Sequence, residues 1–270
     1  MSARLGGGGG GPHPAGGRGG AQCGAESAAL FPAGEGGAPT EPDADAEARC
    51  AAGSASRRPV IAVLAVQGAF IEHERRLRQL GCATIELRQA SDLRRGFDGL
   101  VLPGGESTAQ SKLLRDLGML DPLRELITAG LPVLGTCAGL ILLAARVEGT
   151  GDLRGLDQAR AAGRARVDGL RTLDVTVERN AYGRQLGSFH AQGALVAGGG
   201  AGTPDAGTAP LPLTFIRAPR ITALGPAVHP LVTLDGQPVA VQQGAQVAAA
   251  FHPELDDDDR LYRRFLDLIR

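Results

Sequence analysis

From residue 59 onward, short apolar runs alternate with amphipathic stretches. The run from Val60 to Val66 is unbroken and rich in β-branched residues, which is typical of a strand covered on both faces. A turn at Gln67-Gly68 leads into a charged amphipathic segment, predicted to be a helix from about residue 70 to 80, and Gly81 ends it. The order of strand, turn and helix is the unit from which parallel sheets are built.

The same unit recurs along the first half of the chain. Strands are predicted at Ala83 to Leu87 and Gly99 to Leu102, with helices from about Thr108 to Leu117 and after Asp121-Pro122. A further apolar run leads into Cys137, and the residues that follow it are predicted to be helical. We therefore expect an α/β fold: a three-layer sandwich with a mostly parallel central sheet.

The second half is richer in predicted strands. They cover Leu173 to Glu178, Leu213 to Arg217, Pro230 to Leu234, Val239 to Gln242 and Val247 to Phe251. Asp235-Gly236 is typical of a hairpin turn. A final helix is predicted from Asp257 to Ile269. Four aspartates lie near its start, where their negative charges interact favourably with the positive end of the helix dipole.

Two segments do not show the composition of a packed domain. Residues 1–58 contain no valine or isoleucine and are rich in Gly, Ala and Pro, so we expect a disordered leader. A genuine tail and a start codon assigned too far upstream would look the same. Residues 59–270 are then expected to form a single α/β domain, with a flexible insertion at about 192–212, where Gly, Ala, Thr and Pro show no repeating polar and apolar pattern.

Composition excludes several function classes. The net charge of −1 gives no sign of a nucleic-acid or anionic-membrane partner. No apolar stretch approaches the roughly 18–20 residues that cross a bilayer. The chain has 4 cysteines, without metal-type spacing, and we expect a cytoplasmic protein that carries no metal or cofactor.

The sequence around Cys137 is typical of a nucleophile. The segment Gly135-Thr136-Cys137-Ala138-Gly139 lies between two apolar runs, so the cysteine is expected at a sharp strand-to-helix turn. The amino end of a helix favours a thiolate, and the carboxyl end of a parallel strand is where ligands bind in open α/β sheets. Cys82, at the start of a predicted strand, fits an ordinary core cysteine.

A base and an orienting acid follow another predicted strand. His252 and Glu254 lie two residues apart in Phe251-His252-Pro253-Glu254. A cysteine nucleophile needs a base, and the base needs a third group to orient it. We therefore predict a catalytic triad of Cys137, His252 and Glu254.

Several segments resemble class I glutamine amidotransferases and, more narrowly, the glutaminase subunits of pyridoxal 5′-phosphate synthase. They are Val63–Phe70, Leu102–Thr108, Arg179–Gln185, Phe215–Pro219 and Phe251–Leu255. The resemblance extends from about Val60 to the C-terminus and implies a flavodoxin-like fold. The leader, the insertion and His190, found where an acidic residue is usual, depart from the pattern, and none of these touches the predicted triad.

The resemblance implies a glutamine site. Gly105, Glu106, Ser107, Arg179, Ile216 and Arg217 are expected to bind L-glutamine, and the backbone N–H groups of Gly105 and Ala138 to form the oxyanion hole. Ser107 could equally cap the next helix, and Arg179 could hold either the substrate carboxylate or the loop beside it. Without the resemblance, Ile216 would be interpreted as a core residue.

The resemblance also implies a partner. In such proteins the ammonia passes to a separate (β/α)₈-barrel synthase subunit within a large hetero-oligomer. A subunit that serves another acceptor, a non-catalytic assembly subunit and a peptidase-like hydrolase remain alternatives. The turn at Gln67-Gly68 is either a partner-sensitive switch or an ordinary tight turn.

The predicted leader suggests a first experiment. Because residues 1–58 lack the large apolar side chains needed to dock on a core, their deletion should change neither the thermal stability nor the glutamine turnover of the chain. Thermal unfolding and glutamate release of the shortened protein measure both quantities. A large loss in either would show that the folded domain begins before residue 59.

Overall fold

The computed structural model describes residues 57–148, 167–179, 181, 188–196 and 210–269. Residues 1–56 of the predicted leader lie outside this range, as do residues 197–209 of the predicted insertion and most of the segment Arg179–Gln185.

A nine-stranded sheet forms the centre of the described domain. Its first part is parallel, with each strand in register with its neighbour. The parallel strands are β1 (Val60–Leu64), β2 (Ala83–Leu87), β3 (Gly99–Leu102), β4 (Val133–Thr136) and β12 (Gln246–Ala249). Strands β3 and β4 are buried throughout, as their predominantly apolar sequences predict.

The remaining strands of this sheet pair antiparallel. They are β7 (Ser188–Leu195), β8 (Leu211–Ile216), β10 (His229–Leu234) and β11 (Gln237–Gln243). The order across the whole sheet is β2-β1-β3-β4-β12-β11-β10-β7-β8. The predicted hairpin turn is confirmed, because Asp235 and Gly236 have φ of 49° and 76° and connect the paired residues Leu234 and Gln237. Strands β7 and β8 extend into both ends of the segment predicted as an insertion.

Helices cover this sheet in two groups. Helix α1 (Phe70–Gln79) contacts α5 (Arg260–Leu266), which lies against β4 and β12. The other group comprises α2 (Ser107–Asp116), α3 (Leu120–Thr128) and α4 (Ala138–Leu143), which are packed together. Short 3₁₀ turns occupy Ala90–Arg94 and Pro253–Leu255. The predicted three-layer α/β sandwich is confirmed.

One strand after Cys137 was not predicted, and the start of the final helix was predicted at the wrong residue. The helix after Cys137 ends at Leu143, and the next residues form β5 (Ala144–Glu148), which pairs with β6 (Leu173–Glu178) and, through it, with β9 (Arg220–Leu224) in a separate three-stranded sheet. The final helix begins at Arg260 instead of Asp257, because a 3₁₀ turn and an extended Asp256 precede it. Within the described ranges, no helix is long and apolar enough to cross a membrane.

Candidate active site

Cys137 lies at the turn between β4 and α4. Its φ is 48° and its ψ is −99°, a conformation that costs free energy in a non-glycine residue and that recurs at active sites. Its backbone N–H donates to the carbonyl of Ala249 on the neighbouring strand (2.8 Å), which anchors the turn to the sheet. The thiol is almost fully buried, and its Sγ lies 3.9 Å from the carbonyl oxygen of Ile216. The predicted strand-to-helix turn is confirmed.

His252 and Glu254 follow β12, the strand that lies next to β4. The imidazole Nδ1 of His252 lies 2.7 Å from the Glu254 carboxylate Oε1, and both side chains are buried. Parallel pairing of β4 with β12 ends at Thr136 and Ala249, so it brings the residues after each strand to one edge of the sheet. The structure therefore brings Cys137 together with His252 and Glu254, although the cysteine and the histidine are 115 residues apart in the sequence.

The imidazole of His252 favours its protonated form. Burial lowers its pKa, but interactions with Cys137 and Glu254 outweigh burial and raise the pKa to about 10. Its second ring nitrogen, Nε2, is buried without an aligned hydrogen bond among the described residues. The Cys137 thiol therefore interacts with the His252 ring without a well-aligned hydrogen bond. In active sites such contacts commonly become shorter and better aligned when substrate is bound.

The loop after β3 interlocks with the turn at Gln67-Gly68. The Ala69 N–H donates to the carbonyl of Gly104 (3.0 Å), and the Glu106 N–H donates to the Gln67 side-chain Oε1 (2.8 Å). Gly68 has φ of 103°, and a Cβ there would overlap the Gly104 carbonyl oxygen. The turn therefore fixes the orientation of the loop.

Gly104 is close to the cysteine and the histidine. A Cβ on Gly104 would overlap the His252 ring and would lie 3.4 Å from the Cys137 Cβ. The carbonyl of Gly104 points toward Ala69, so the N–H of the same planar peptide, that of Gly105, points the opposite way. Ala138 occupies the first turn of α4, where a backbone N–H has no acceptor within the helix. Of the two predicted oxyanion donors, Ala138 directly follows Cys137, and Gly105 directly follows Gly104, which approaches Cys137.

Glu106, not Ser107, caps helix α2. The Glu106 carboxylate accepts from the backbone N–H groups of Thr108 (3.0 Å) and Ala109 (2.6 Å), and these bonds lower its pKa despite the opposing effect of burial. Ser107 is the first helical residue and is buried, so the interpretation of Ser107 as the cap is wrong. Arg179 lies 3.5 Å from the Glu106 carboxylate and donates to the Thr108 hydroxyl (3.2 Å). It therefore holds the loop, one of its two predicted roles.

Ile216 and Arg217 lie at the end of β8, next to Cys137. The side chain of Ile216 is 37% exposed, so its interpretation as a core residue is wrong. Arg217 has φ of 45° and is also exposed. The carbonyl of Ile216 therefore brings the exposed end of β8 beside the Cys137 thiol.

Two functional contacts were not predicted from the sequence. The Gln67 side chain bonds the glycine loop, and the buried His73 of α1 contacts the Glu254 carboxylate (3.3 Å). His73 precedes Leu77 by four residues on the buried face of α1, and a histidine on that apolar face was the available signal. Within the described ranges, no group of three or more His, Cys, Asp or Glu residues could hold a metal ion.

The fold of the chain is similar to those of solved structures. A solved structure described as a glutamine amidotransferase is 38% identical, with a TM-score of 0.64, and the match covers 77% of this chain and 98% of that one. The structure of PurLQS from Thermotoga maritima is only 12% identical, with a TM-score of 0.55, and covers 79% of this chain and 100% of that one. The latter likeness concerns the fold alone.

Curated relatives are closer in sequence. The "Pyridoxal 5'-phosphate synthase subunit PdxT" of Methanocorpusculum labreanum is 48% identical over 209 residues, covering 77% of this chain and 97% of its own length. The protein of the same name from Desulfitobacterium hafniense is 49% identical, with coverage of 77% and 92%. That from Streptococcus pneumoniae is 44% identical, with coverage of 78% and 97%.

The described fold, with a cysteine at a strained strand-to-helix turn beside a histidine and a carboxylate, is that of a class I glutamine amidotransferase. The model of one family within this class matches residues 63–270. The chain belongs to the SNO glutamine amidotransferase family.

Proposed function

We propose that this chain hydrolyses L-glutamine to L-glutamate and ammonia and passes the ammonia to a pyridoxal 5′-phosphate synthase subunit, for vitamin B6 biosynthesis. Membership of the SNO family and the relatives named as pyridoxal 5′-phosphate synthase subunits support this assignment. The observation that carries it is the position of Cys137 at its strained turn, beside a buried His252–Glu254 pair at 2.7 Å.

The proposed reaction begins with attack of the Cys137 sulfur on the carboxamide carbon of the glutamine side chain. A tetrahedral intermediate forms, and His252 gives a proton to the nitrogen as the C–N bond breaks and ammonia leaves. His252 then removes a proton from water, which attacks the thioester carbon. The C–S bond breaks and glutamate is released. Glu254 keeps the imidazole oriented with its Nδ1 proton toward the carboxylate.

Each tetrahedral intermediate carries an oxyanion, and the Gly105 and Ala138 N–H groups are its proposed donors. Loss of one such donor typically lowers the rate by about 10²–10³. Glu106, Ser107 and Arg179 are proposed to bind the amino-acid end of glutamine, and Ile216 and Arg217 to line the same pocket. Because Arg179 and Glu106 already contact each other, the pocket is organised before substrate arrives.

The proposed acceptor is a (β/α)₈-barrel synthase subunit, in a large hetero-oligomer in the cytoplasm. A subunit that serves another acceptor is the main alternative, and the three curated relatives described above favour pyridoxal 5′-phosphate. A non-catalytic subunit would be expected to lack a member of the triad, whereas this chain has all three. Release of glutamate from glutamine, measured with and without a matching barrel subunit, tests the assignment.

We predict that the isolated chain is a weak glutaminase and that the synthase subunit raises its kcat by one or more orders of magnitude, with a smaller change in KM. The physical reason is the interlock of the Gln67-Gly68 turn with the glycine loop. A peptide rotation there adds or removes an oxyanion donor, which acts on the transition state and hence on kcat. Equal kcat for the chain and the complex would contradict this prediction.

A matched pair of glycine variants tests whether the Gln67-Gly68 turn carries this activation to the glycine loop. Gly68 and Gly81 both have positive φ, of 103° and 85°, so alanine strains the backbone at either position. A Cβ at Gly68 would overlap the Gly104 carbonyl, whereas at Gly81 it meets nothing within 4 Å. Gly68→Ala should lower kcat of the complex by about 10²–10³, and Gly81→Ala should lower only the thermal stability. Similar kcat values for the two variants would exclude this loop as the route.

A further inference from the structure

A second buried histidine lies behind the proposed triad. His73 belongs to α1, and its side chain is fully buried. Its Nδ1 lies 2.6 Å from the Tyr262 hydroxyl of α5, and its Nε2 lies 3.1 Å from the Thr136 hydroxyl and 3.3 Å from the Glu254 carboxylate Oε2. The proposed mechanism uses neither His73 nor Tyr262.

Glu254 is held between two imidazoles. Its Oε1 bonds His252 Nδ1 at 2.7 Å, while its Oε2 is buried and has His73 as a close neighbour without an aligned hydrogen bond. An ionised carboxylate with no exposed side-chain surface is costly unless donors face both of its oxygens. His252 faces one oxygen, and His73 is the described residue that faces the other.

The contacts of His73 select one of its two neutral tautomers. Burial is the main cause that lowers the pKa of His73, so its ring is neutral and carries a single N–H. Burial also raises the pKa of Tyr262 well above its usual value, so the phenol keeps its proton. If the phenol donates to Nδ1, the ring N–H is on Nε2 and faces Thr136 and Glu254. The other tautomer would direct a lone pair at the carboxylate.

The charge state of Glu254 agrees with this arrangement. Burial alone would raise its pKa, but His73 and His252 together outweigh burial and hold it below its ordinary value. The carboxylate therefore stays ionised next to His252. An ionised Glu254 is what keeps the His252 Nδ1 protonated and its Nε2 free to exchange protons with the cysteine.

We propose that His73, with its tautomer set by the Tyr262 hydroxyl, is a positioning residue of glutamine hydrolysis that holds the Glu254 carboxylate aligned on His252. This inference rests on the proposed glutaminase function. His73 acts through Glu254 and touches no reacting atom.

The test uses the complex of the chain with its synthase subunit. His73→Leu removes both ring nitrogens, so kcat for glutamate release should fall on the order of 10–100-fold, the loss typical when the partner that orients a metal-binding side chain is removed. KM should change by less than about twofold, since His73 does not contact substrate. Without His73, the pKa of Glu254 rises, and the acid side of the kcat profile should move to higher pH.

The groups that face Glu254 govern this pH response. They are His252 on its own segment, His73 on α1 and Tyr262 on α5, with Cys137 beyond His252. Glu72 acts on His73, and Arg76 acts on Tyr262. Of these groups, only His73 is altered in the variant, so a shift of the acid side reports the loss of its contact with the carboxylate.

Two further variants separate positioning from packing. His73→Gln keeps an N–H donor near the ε position and should recover part of the lost kcat. Tyr262→Phe removes the hydroxyl that selects which ring nitrogen of His73 carries the proton, so it should also lower kcat, by several-fold. Thr172→Val is the matched control, because it removes a hydroxyl that bonds Gln246 (2.7 Å) at the opposite end of β12 and should leave kcat and the pH profile unchanged.

The outcomes distinguish the two levels of the proposal. If the unmodified complex releases no glutamate, the proposed glutaminase function fails. Suppose instead that the unmodified complex is active. The positioning role is then overturned if His73→Leu and Tyr262→Phe both keep kcat within twofold and leave the acid side of the kcat–pH profile at the same pH. Loss of kcat without recovery in His73→Gln, together with an unmoved pH profile, would likewise overturn it in favour of simple packing. If His73→Leu does not fold, the kcat and pH profile of Tyr262→Phe decide.

Discussion

Cys137→Ala is expected to abolish glutamine hydrolysis, with a loss of kcat on the order of 10⁶, while the fold stays intact. Among the described residues, the Cys137 thiol is the nucleophile that lies beside the His252–Glu254 pair, and alanine fits the space of a small buried side chain. Alanine also keeps the backbone N–H that bonds Ala249, so the turn remains anchored to the sheet. Glutamate release by the complex with the synthase subunit measures the effect.

Two controls separate chemistry from structure. Cys82→Ala removes the other cysteine of the described ranges, a buried thiol whose pKa is raised by burial, and should cost stability without lowering kcat. The Cys137→Ala complex should still make pyridoxal 5′-phosphate when an ammonium salt replaces glutamine. A folded Cys137→Ala variant that keeps more than a trace of activity would refute the proposed mechanism, and failure of the ammonia rescue would reveal a structural role for Cys137.

Glu254→Gln is expected to lower kcat by about 10⁴, the loss typical when the orienting acid of a triad becomes an amide. The carboxylate lies between His252 Nδ1 and His73 Nε2, and both nitrogens carry protons in the proposed arrangement. An amide has one oxygen, so it can accept from only one of the two rings. Its NH₂ group then faces the other N–H, and one histidine must adopt the wrong tautomer or turn away.

The two variants His73→Leu and Glu254→Gln combine into a further measurement. Because His73 acts through the carboxylate, adding His73→Leu to Glu254→Gln should lower kcat by much less than it does in the unmodified chain. Thermal unfolding of each variant checks that the fold is kept. Glu254→Gln with a kcat within tenfold of the unmodified chain would mean that the carboxylate does not orient the base.

Local sequence predicted most of the sheet because its strands carry strong patterns. The runs at Val60–Leu64 and Gly99–Leu102 are apolar, and the run at Ala83–Leu87 alternates apolar with polar residues; the structure places strands at all three positions. Where the pattern was weak, strands were missed. Along β7, the sequence around His190 to Ala194 mixes Ala, Gly and polar residues, and β9 is mostly exposed, so neither stretch signals a buried face.

The proposed triad could also be found from sequence, because its members lie in short segments whose local geometry is fixed by neighbours in the chain. The glycines around Cys137 indicate the turn, and His252 and Glu254 share one segment. The cap of α2 was assigned to the wrong residue for a simple reason. Glu106 and Ser107 are adjacent, both can cap a helix, and only the backbone conformation decides which one does.

Tertiary structure alone decided what supports the site. His73 meets Tyr262 across 189 residues of sequence, and Gln67 meets Glu106 across 39. Such contacts depend on which helices share a face of the sheet and on how its strands are ordered. The sequence therefore determined the residues that can do chemistry and the turns that present them. The folded chain decided which buried partners hold Glu254, because hydrogen bonds between distant elements form only when packing brings their donors and acceptors within reach.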